Sequence, residues 1–217
     1  MNCVITNDAE WHAARLKGIG ASEASAIVGA SPYLSNVDLW KIKTGRINAA
    51  DISNKACVQY GHDAEGPLRE LFALDYAHKY KTTYGGAYDM VRHPEYPFIF
   101  ATLDGRLEEI NTGRLGVYEG KTTEILRSMQ REKWNDAIPQ NYYIQLLHQL
   151  LASCRDFAVL NAQLKYEYPD EIRCVTRRYP LERADVQSDL DYLLEEEIKF
   201  WRFVETDTMP PLVLPSI

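Results

Sequence analysis

Phe98-Ile-Phe-Ala-Thr-Leu-Asp104-Gly-Arg-Leu-Glu-Glu-Ile-Asn-Thr-Gly-Arg-Leu-Gly-Val-Tyr-Glu119-Gly-Lys121-Thr-Thr123 is the stretch that decides the fold of this chain. Phe98 to Ile110 is rich in β-formers and interrupted only at Asp104-Gly105. Asn111-Thr112-Gly113 is turn chemistry, and Leu115 to Thr122 alternates again. The segment therefore reads as a β-hairpin. Strand side chains alternate between faces, so Glu119 and Lys121 share one face, which Val117 extends toward the turn. Gly120 lies on the other face, where the missing side chain opens its carbonyl to a close approach. Asp104, on the partner strand, is expected across from Glu119.

Two carboxylates and an ammonium that converge in this way suit a hard divalent cation. Mg²⁺ is held by one or two carboxylates together with water and phosphate oxygens, without an all-protein cage. An exposed hairpin carrying ordinary polar residues has the same local pattern, so the remaining segments carry weight. Arg15-Leu-Lys-Gly-Ile-Gly-Ala-Ser22-Glu-Ala-Ser-Ala-Ile-Val-Gly29 reads as a glycine-rich entry into a short helix, with Ser22 as N-cap and Gly29 as C-terminal stop. Helix N-termini bind phosphate, and Arg15 adds a forked donor. A capped helix packed through Ile27 and Val28 accounts for the same residues.

In Gln59-Tyr-Gly-His-Asp-Ala-Glu65-Gly-Pro-Leu-Arg-Glu-Leu-Phe72, the residues Leu68, Leu71, Phe72 and Tyr76 recur at helical spacing. Pro67 suits a first turn, which puts Glu65 at or just before the helix start. There it either complements the helix dipole or ligates metal. In Pro139-Gln-Asn-Tyr-Tyr-Ile-Gln145-Leu-Leu-His-Gln149-Leu-Leu-Ala-Ser153, a stripe of Tyr143, Leu147, Leu150 and Leu151 is expected to be buried. Gln145, His148 and Gln149 then share a neighbouring face.

These segments, in this order, resemble the phage-type recombination exonucleases of the YqaJ family, which are similar to the phage lambda exonuclease within the PD-(D/E)XK nuclease superfamily. The motifs are Ile-Gly-Ala-Ser-Glu-Ala, Gly-Ala-Ser-Pro-Tyr, Gly-His-Asp-Ala-Glu, Leu-Asp-Gly, Glu-Gly-Lys and Gln-Leu-Leu-His, between about Trp11 and Ser153. The resemblance implies an α/β fold with a restriction-endonuclease-like core, a central mixed β-sheet flanked by helices. It implies a deoxyribonuclease that degrades one strand of linear double-stranded DNA from 5′-phosphorylated ends, 5′ to 3′. The product is a 3′ overhang for recombination by a single-strand annealing protein.

Carried over by position, Asp104 and Glu119 match the metal-binding carboxylates, Lys121 the catalytic lysine, Glu65 a further acid, and Gly120 the residue whose carbonyl completes the coordination of two Mg²⁺ ions, with Mn²⁺ as a substitute. Arg15, Ser22, Thr102 and Gln145 match the grip on the 5′ phosphate. The chain departs from the family at three places: Leu103 stands where the superfamily has proline, Thr102 replaces a serine, and Leu147 replaces the second glutamine of a Gln-x-Gln pair. A trimeric ring is a further implication. An endonuclease or repair nuclease on the same fold, or a non-catalytic DNA-end binder, are the other readings.

Composition bounds the rest. The chain has 217 residues, 46% of them hydrophobic, which suits one soluble domain, 1–217, with a substantial core. No apolar run approaches the roughly 18 residues of a membrane span, so a cytoplasmic protein of a bacterial host, of phage or prophage origin, is expected. Cys3, Cys57, Cys154 and Cys174 are scattered, which suits free thiols. The net charge of −7 is unusual for a DNA-binding protein, but it is uneven: Glu167 to Ile217 holds 12 acidic against 6 basic residues, the preceding part 19 against 18. DNA binding then falls to local cations such as Arg15, Lys17, Lys41, Lys43 and Arg46, with Tyr33 as an aromatic contact. Helices are expected at about 22–28, 37–44, 55–80, 123–134 and 139–153, strands at about 156–164 and 171–179, and a closing amphipathic helix from Val186 to Val204. The proline-containing tail, about 207–217, is expected to be loose or docked.

Overall fold

A computed structural model describes residues 6–125 and 132–214. In chain order the elements are α1 (Asp8–Arg15), β1 (Ile19–Gly20), α2 (Ala24–Ile27), α3 (Asn36–Lys43), α4 (Ala56–Asp75), β2 (Tyr80–Thr83), β3 (Met90–Arg92), β4 (Ile99–Thr102), β5 (Gly105–Glu109), β6 (Leu115–Glu124), α5 (Gln140–Ser153), β7 (Phe157–Glu167) and β8 (Ile172–Glu182). A 3₁₀ turn at Arg183–Val186 then leads into α6 (Gln187–Glu205).

The strands form a five-stranded sheet of order β2-β5-β6-β7-β8 and a three-stranded sheet of order β1-β4-β3. In the larger sheet β6 and β7 run parallel, while every other pair is antiparallel. Parallel neighbours need a crossover, and α5 lies within it. The expected mixed sheet flanked by helices is present, divided into two pairing systems. β7, flanked by β6 and β8, is apolar from Phe157 to Leu160 and buried on both faces as far as Ala162, as a strand covered on both sides requires.

Alternation along β6 and β7 sorts the core. Val117, Ala158, Leu160, Ala162 and Leu164 join Leu146, Leu147, Leu150 and Leu151 of α5 and Leu190 and Leu193 of α6 in one cluster. On the opposite face Tyr118, Phe157 and Val159 pack with Phe72 of α4, Tyr80 and Leu107. Glu119 and Lys121 therefore face α5, and Gly120 faces α4, as the period-2 reading requires. A third cluster joins Ile19, Ala26, Ile27, Leu39, Trp40 and Phe200.

Several expectations are corrected. Phe98 to Ile110 is not one strand: β4 and β5 belong to different sheets, and Leu103-Asp104 carries the chain between them. Gly105 opens β5 against Tyr118, whose side chain would stand 3.2 Å from a Cβ at that position. α4 begins nine residues before Glu65, so Glu65 is mid-helix and Pro67 lies inside the helix, not in its first turn. Tertiary burial of Leu68 and Phe72 offsets the hydrogen bond that Pro67 cannot donate.

Half of the helix expected at about 123–134 falls outside the described residues, at 126–131, and its first two positions continue β6. The strands expected after Ser153 and the closing helix are present. Tyr143 is only half-buried, whereas His148 and Gln149 are buried, so the expected polar face of α5 is enclosed. The described part of the tail, to Leu214, is docked: the Asn36 amide donates to the Pro211 carbonyl at 2.8 Å and accepts from the Val213 N–H at 3.0 Å. Among the described residues no helix is long and apolar enough to cross a membrane.

Candidate active site

Glu119 is the centre of the candidate site. It is 2% exposed, and such a carboxylate must be paired or hydrogen-bonded. Its Oε1 accepts from the Gln145 amide at 2.5 Å and lies 2.5 Å from the Lys121 ammonium. Its Oε2 accepts from the Gln149 amide at 2.6 Å. Gln145 and Gln149 are neighbours on one helical face because they are four residues apart, and α5 presents both amides to the sheet. Burial depresses the Lys121 ammonium, but the charges of Glu119 and Asp104 more than reverse this and raise it above the ordinary lysine value.

Asp104 enters from the other side of β6. The β5–β6 ladder ends at Gly105 opposite Tyr118, so beyond that point this edge of β6 has no partner strand. The Asp104 carboxylate takes its place, accepting the Gly120 N–H at 3.0 Å. A strand residue directs its N–H and C=O to the same edge, so the Gly120 carbonyl points along the edge where Asp104 sits. Burial, and then the charge of Glu119, raise Asp104 well above the usual carboxylate range. Arg69 links a third acid to this place: it donates to the Asp104 carbonyl at 2.9 Å and to Glu65 at 3.3 Å.

The residues expected around a phosphate gather at the neighbouring end of β4. Arg15 approaches Ser22 Oγ at 3.5 Å, stacks on the Trp11 ring at 4.7 Å and faces Glu23 at 3.4 Å. Trp11 in turn donates to Thr102 Oγ1 at 3.3 Å. Thr102 is two residues from Asp104, which brings this pocket up against the carboxylates. Ser22 is not an N-cap, because α2 is a four-residue helix that starts after Glu23. Gln145 bonds to Glu119 and, among the described contacts, not to Arg15, Ser22 or Thr102.

Among the described residues no three Asp, Glu, His or Cys side chains stand close enough together to hold a metal ion. The donor set still fits Mg²⁺, which needs only one or two protein carboxylates. Asp104 and Glu119 supply hard oxygens, and their mutual repulsion is the condition that a cation relieves.

Two residues not expected in the metal or 5′-phosphate site, Gln149 and Lys43, are in contact with it. Gln149 supplies the second amide to Glu119; its spacing from Gln145 was visible, but the approach of α5 to β6 was not. Lys43, expected to reach DNA, has a side chain only 1% exposed. Lys41 pairs with Asp38 and Arg46 with Asp207, while Lys17 is exposed. Tyr33 is 86% exposed, in a loop held by Ser31 Oγ, which accepts from the N–H groups of Tyr33 and Leu34. His148 points away from the site, between Glu197 and the Phe100 carbonyl.

The fold is similar to solved nucleases. An alkaline exonuclease from Laribacter hongkongensis matches with a TM-score of 0.65 at 19% identity, over 92% of this chain and 94% of that one. The same enzyme in complex with dAMP matches at 0.58 and 20% identity, over 92% and 98%. A phage-related exonuclease from Haemophilus somnus 129PT matches at 0.53 and 12% identity, over 88% and 96%. At these identities the likeness is one of fold, the mixed sheets and flanking helices of the PD-(D/E)XK type. The protein YqaJ of Bacillus subtilis is 29% identical over 198 residues, and the 54% of it that is covered means this chain spans about half the length of that relative. Residues 10–155, which include every residue of the candidate site, match the YqaJ-like viral recombinase domain, and the chain belongs to that family.

Proposed function

We propose that this protein is a Mg²⁺-dependent exonuclease that degrades one strand of linear duplex DNA, 5′ to 3′, from 5′-phosphorylated ends. The observation that carries the reading is the meeting of Asp104, Glu119 and Lys121 at the end of the Arg15, Ser22 and Thr102 pocket. The nuclease fold of the solved neighbours, one of them bound to a mononucleotide, supports it.

Asp104, Glu119, the Gly120 carbonyl and, from α4, Glu65 would hold the metal. When bound, Mg²⁺ lowers the pKa of an attacking water and stabilises the leaving oxygen. Arg15 grips the terminal phosphate through its forked donors, with the hydroxyls of Ser22 and Thr102 beside it. Lys121 orients water or neutralises charge on the phosphorane; it need not be the base. Gln145 and Gln149 fix the Glu119 carboxylate. On the same reading the 3′ overhang passes to a single-strand annealing protein, and a closed trimer keeps the enzyme on its track.

The test is digestion of end-labelled duplex with Mg²⁺. Mononucleotides released from 5′-phosphorylated linear ends, with closed circular duplex intact, are expected. Cleavage of the circle, or release from 3′ ends alone, would overturn the proposal.

A further inference from the structure

Lys43, at the end of α3, places its ammonium between two segments of the phosphate pocket. It donates to the Arg15 carbonyl at 2.8 Å and to Glu23 Oε2 at 2.7 Å. The same Glu23 oxygen accepts the Gly20 N–H at 2.8 Å, while Oε1 lies 3.4 Å from the Arg15 guanidinium. That guanidinium crosses Gly20 so closely that a Cβ there would stand 3.2 Å from Nη2. Every bond of Lys43 and Glu23 to this region thus ends on Arg15 or on the backbone beneath it.

We infer that Lys43 and Glu23 are positioning residues for the 5′-phosphate site: Lys43 shares the Glu23 carboxylate and pins the Arg15 backbone, so that the Arg15 guanidinium is aimed at the terminal phosphate with its charge only partly cancelled. The inference rests on the phosphate-end reading above. Two cations and one carboxylate leave the cluster with one positive charge, and Arg15, about a quarter exposed, is the member that presents it to solvent. Without Lys43, the Glu23 carboxylate would turn on Arg15 and compete with the phosphate. A purely structural role explains the arrangement less well, since a buried ion pair contributes little net stability over an apolar replacement.

The test compares kcat and KM on 5′-phosphorylated and 5′-hydroxyl duplex for wild type, Arg15→Ala, Lys43→Met and the double variant, alongside thermal melting. Lys43→Met is expected to raise KM for phosphorylated duplex and lower the phosphate preference about tenfold or more, with no further loss when combined with Arg15→Ala. A folded Lys43→Met that keeps the preference while Arg15→Ala loses it, or losses that simply add, would overturn the inference and leave the pocket reading standing. If Arg15→Ala also keeps the preference, or wild type has none, the pocket reading fails and this inference with it. Should Lys43→Met not fold, Lys43→Gln, which keeps an N–H donor but removes the charge that neutralises Glu23, decides by the same criterion.

Discussion

The amide of Gln149 donates to Glu119 Oε2 at 2.6 Å, one helical turn beyond Gln145, which holds the other oxygen. The carboxylate is thereby fixed from above by two neutral donors, and its remaining freedom lies toward Lys121 and Asp104. Outer partners of this kind orient a ligand and tune its charge.

Replacing Gln149 by Leu removes one of these donors from a buried oxygen. Activity is expected to fall about 10- to 100-fold, with the Mg²⁺ concentration for half-maximal rate shifted upward. Metal titrations of the rate check this, and an unchanged half-saturation would count against an orienting role.

Asp104→Asn retains an acceptor for the Gly120 N–H but removes a charge that burial and Glu119 both disfavour. Nuclease activity is expected to disappear while, in EDTA, the melting temperature is equal to or above that of wild type. A variant that melts lower in EDTA yet cuts DNA normally contradicts both halves.

His148 joins α5 to α6, with both ring nitrogens facing acceptors: Glu197 at 2.6 Å and the Phe100 carbonyl at 2.8 Å. Two acceptors call for two N–H groups, which is the imidazolium form. Burial opposes that charge, but Glu197 and the carbonyl outweigh it and raise His148 above the ordinary value. Because the folded value exceeds the unfolded one, the stabilisation is complete below about pH 6.5 and is lost as pH rises through the folded value. Denaturant midpoints across this range should fall in wild type. In His148→Gln they should start about 3–5 kcal/mol lower in stability and lack that decline; an identical slope would remove His148 as its source.

Tyr33 supports no core, so Tyr33→Ala should change folding stability by no more than about 0.5 kcal/mol. If its ring stacks on an unpaired base at the DNA end, binding should weaken by about 1–3 kcal/mol. Equilibrium binding of end-frayed duplex, measured with Ca²⁺ in place of Mg²⁺, separates the two effects; full affinity in the variant excludes the stacking contact.

Much of the site was legible in the sequence because strand alternation is local. Glu119 and Lys121 had to share a face, and Gly120 had to take the other, whatever the strand packed against. The order of segments carried the family, and apolar spacing located most of α5 and α6. Helix ends were less legible: Ser22 has the chemistry of a cap, yet α2 begins only after Glu23, whose carboxylate bonds the Gly20 N–H and the buried Lys43. Pro67 resembled a helix start, yet α4 runs through it, stabilised by packing that no local rule contains.

What the sequence determined by itself is which residues can do chemistry and which face each occupies, since backbone geometry and periodicity act over a few residues. Tertiary structure alone decided who meets whom. It moved Asp104 between two sheets to the open edge of β6, made Gln149 on the polar face of α5 a partner of Glu119, and buried Lys43 under Arg15. Those outcomes depend on the burial of charges and amides that are distant in the chain, and a desolvated group takes the partner that the packing of helices and sheets brings within reach.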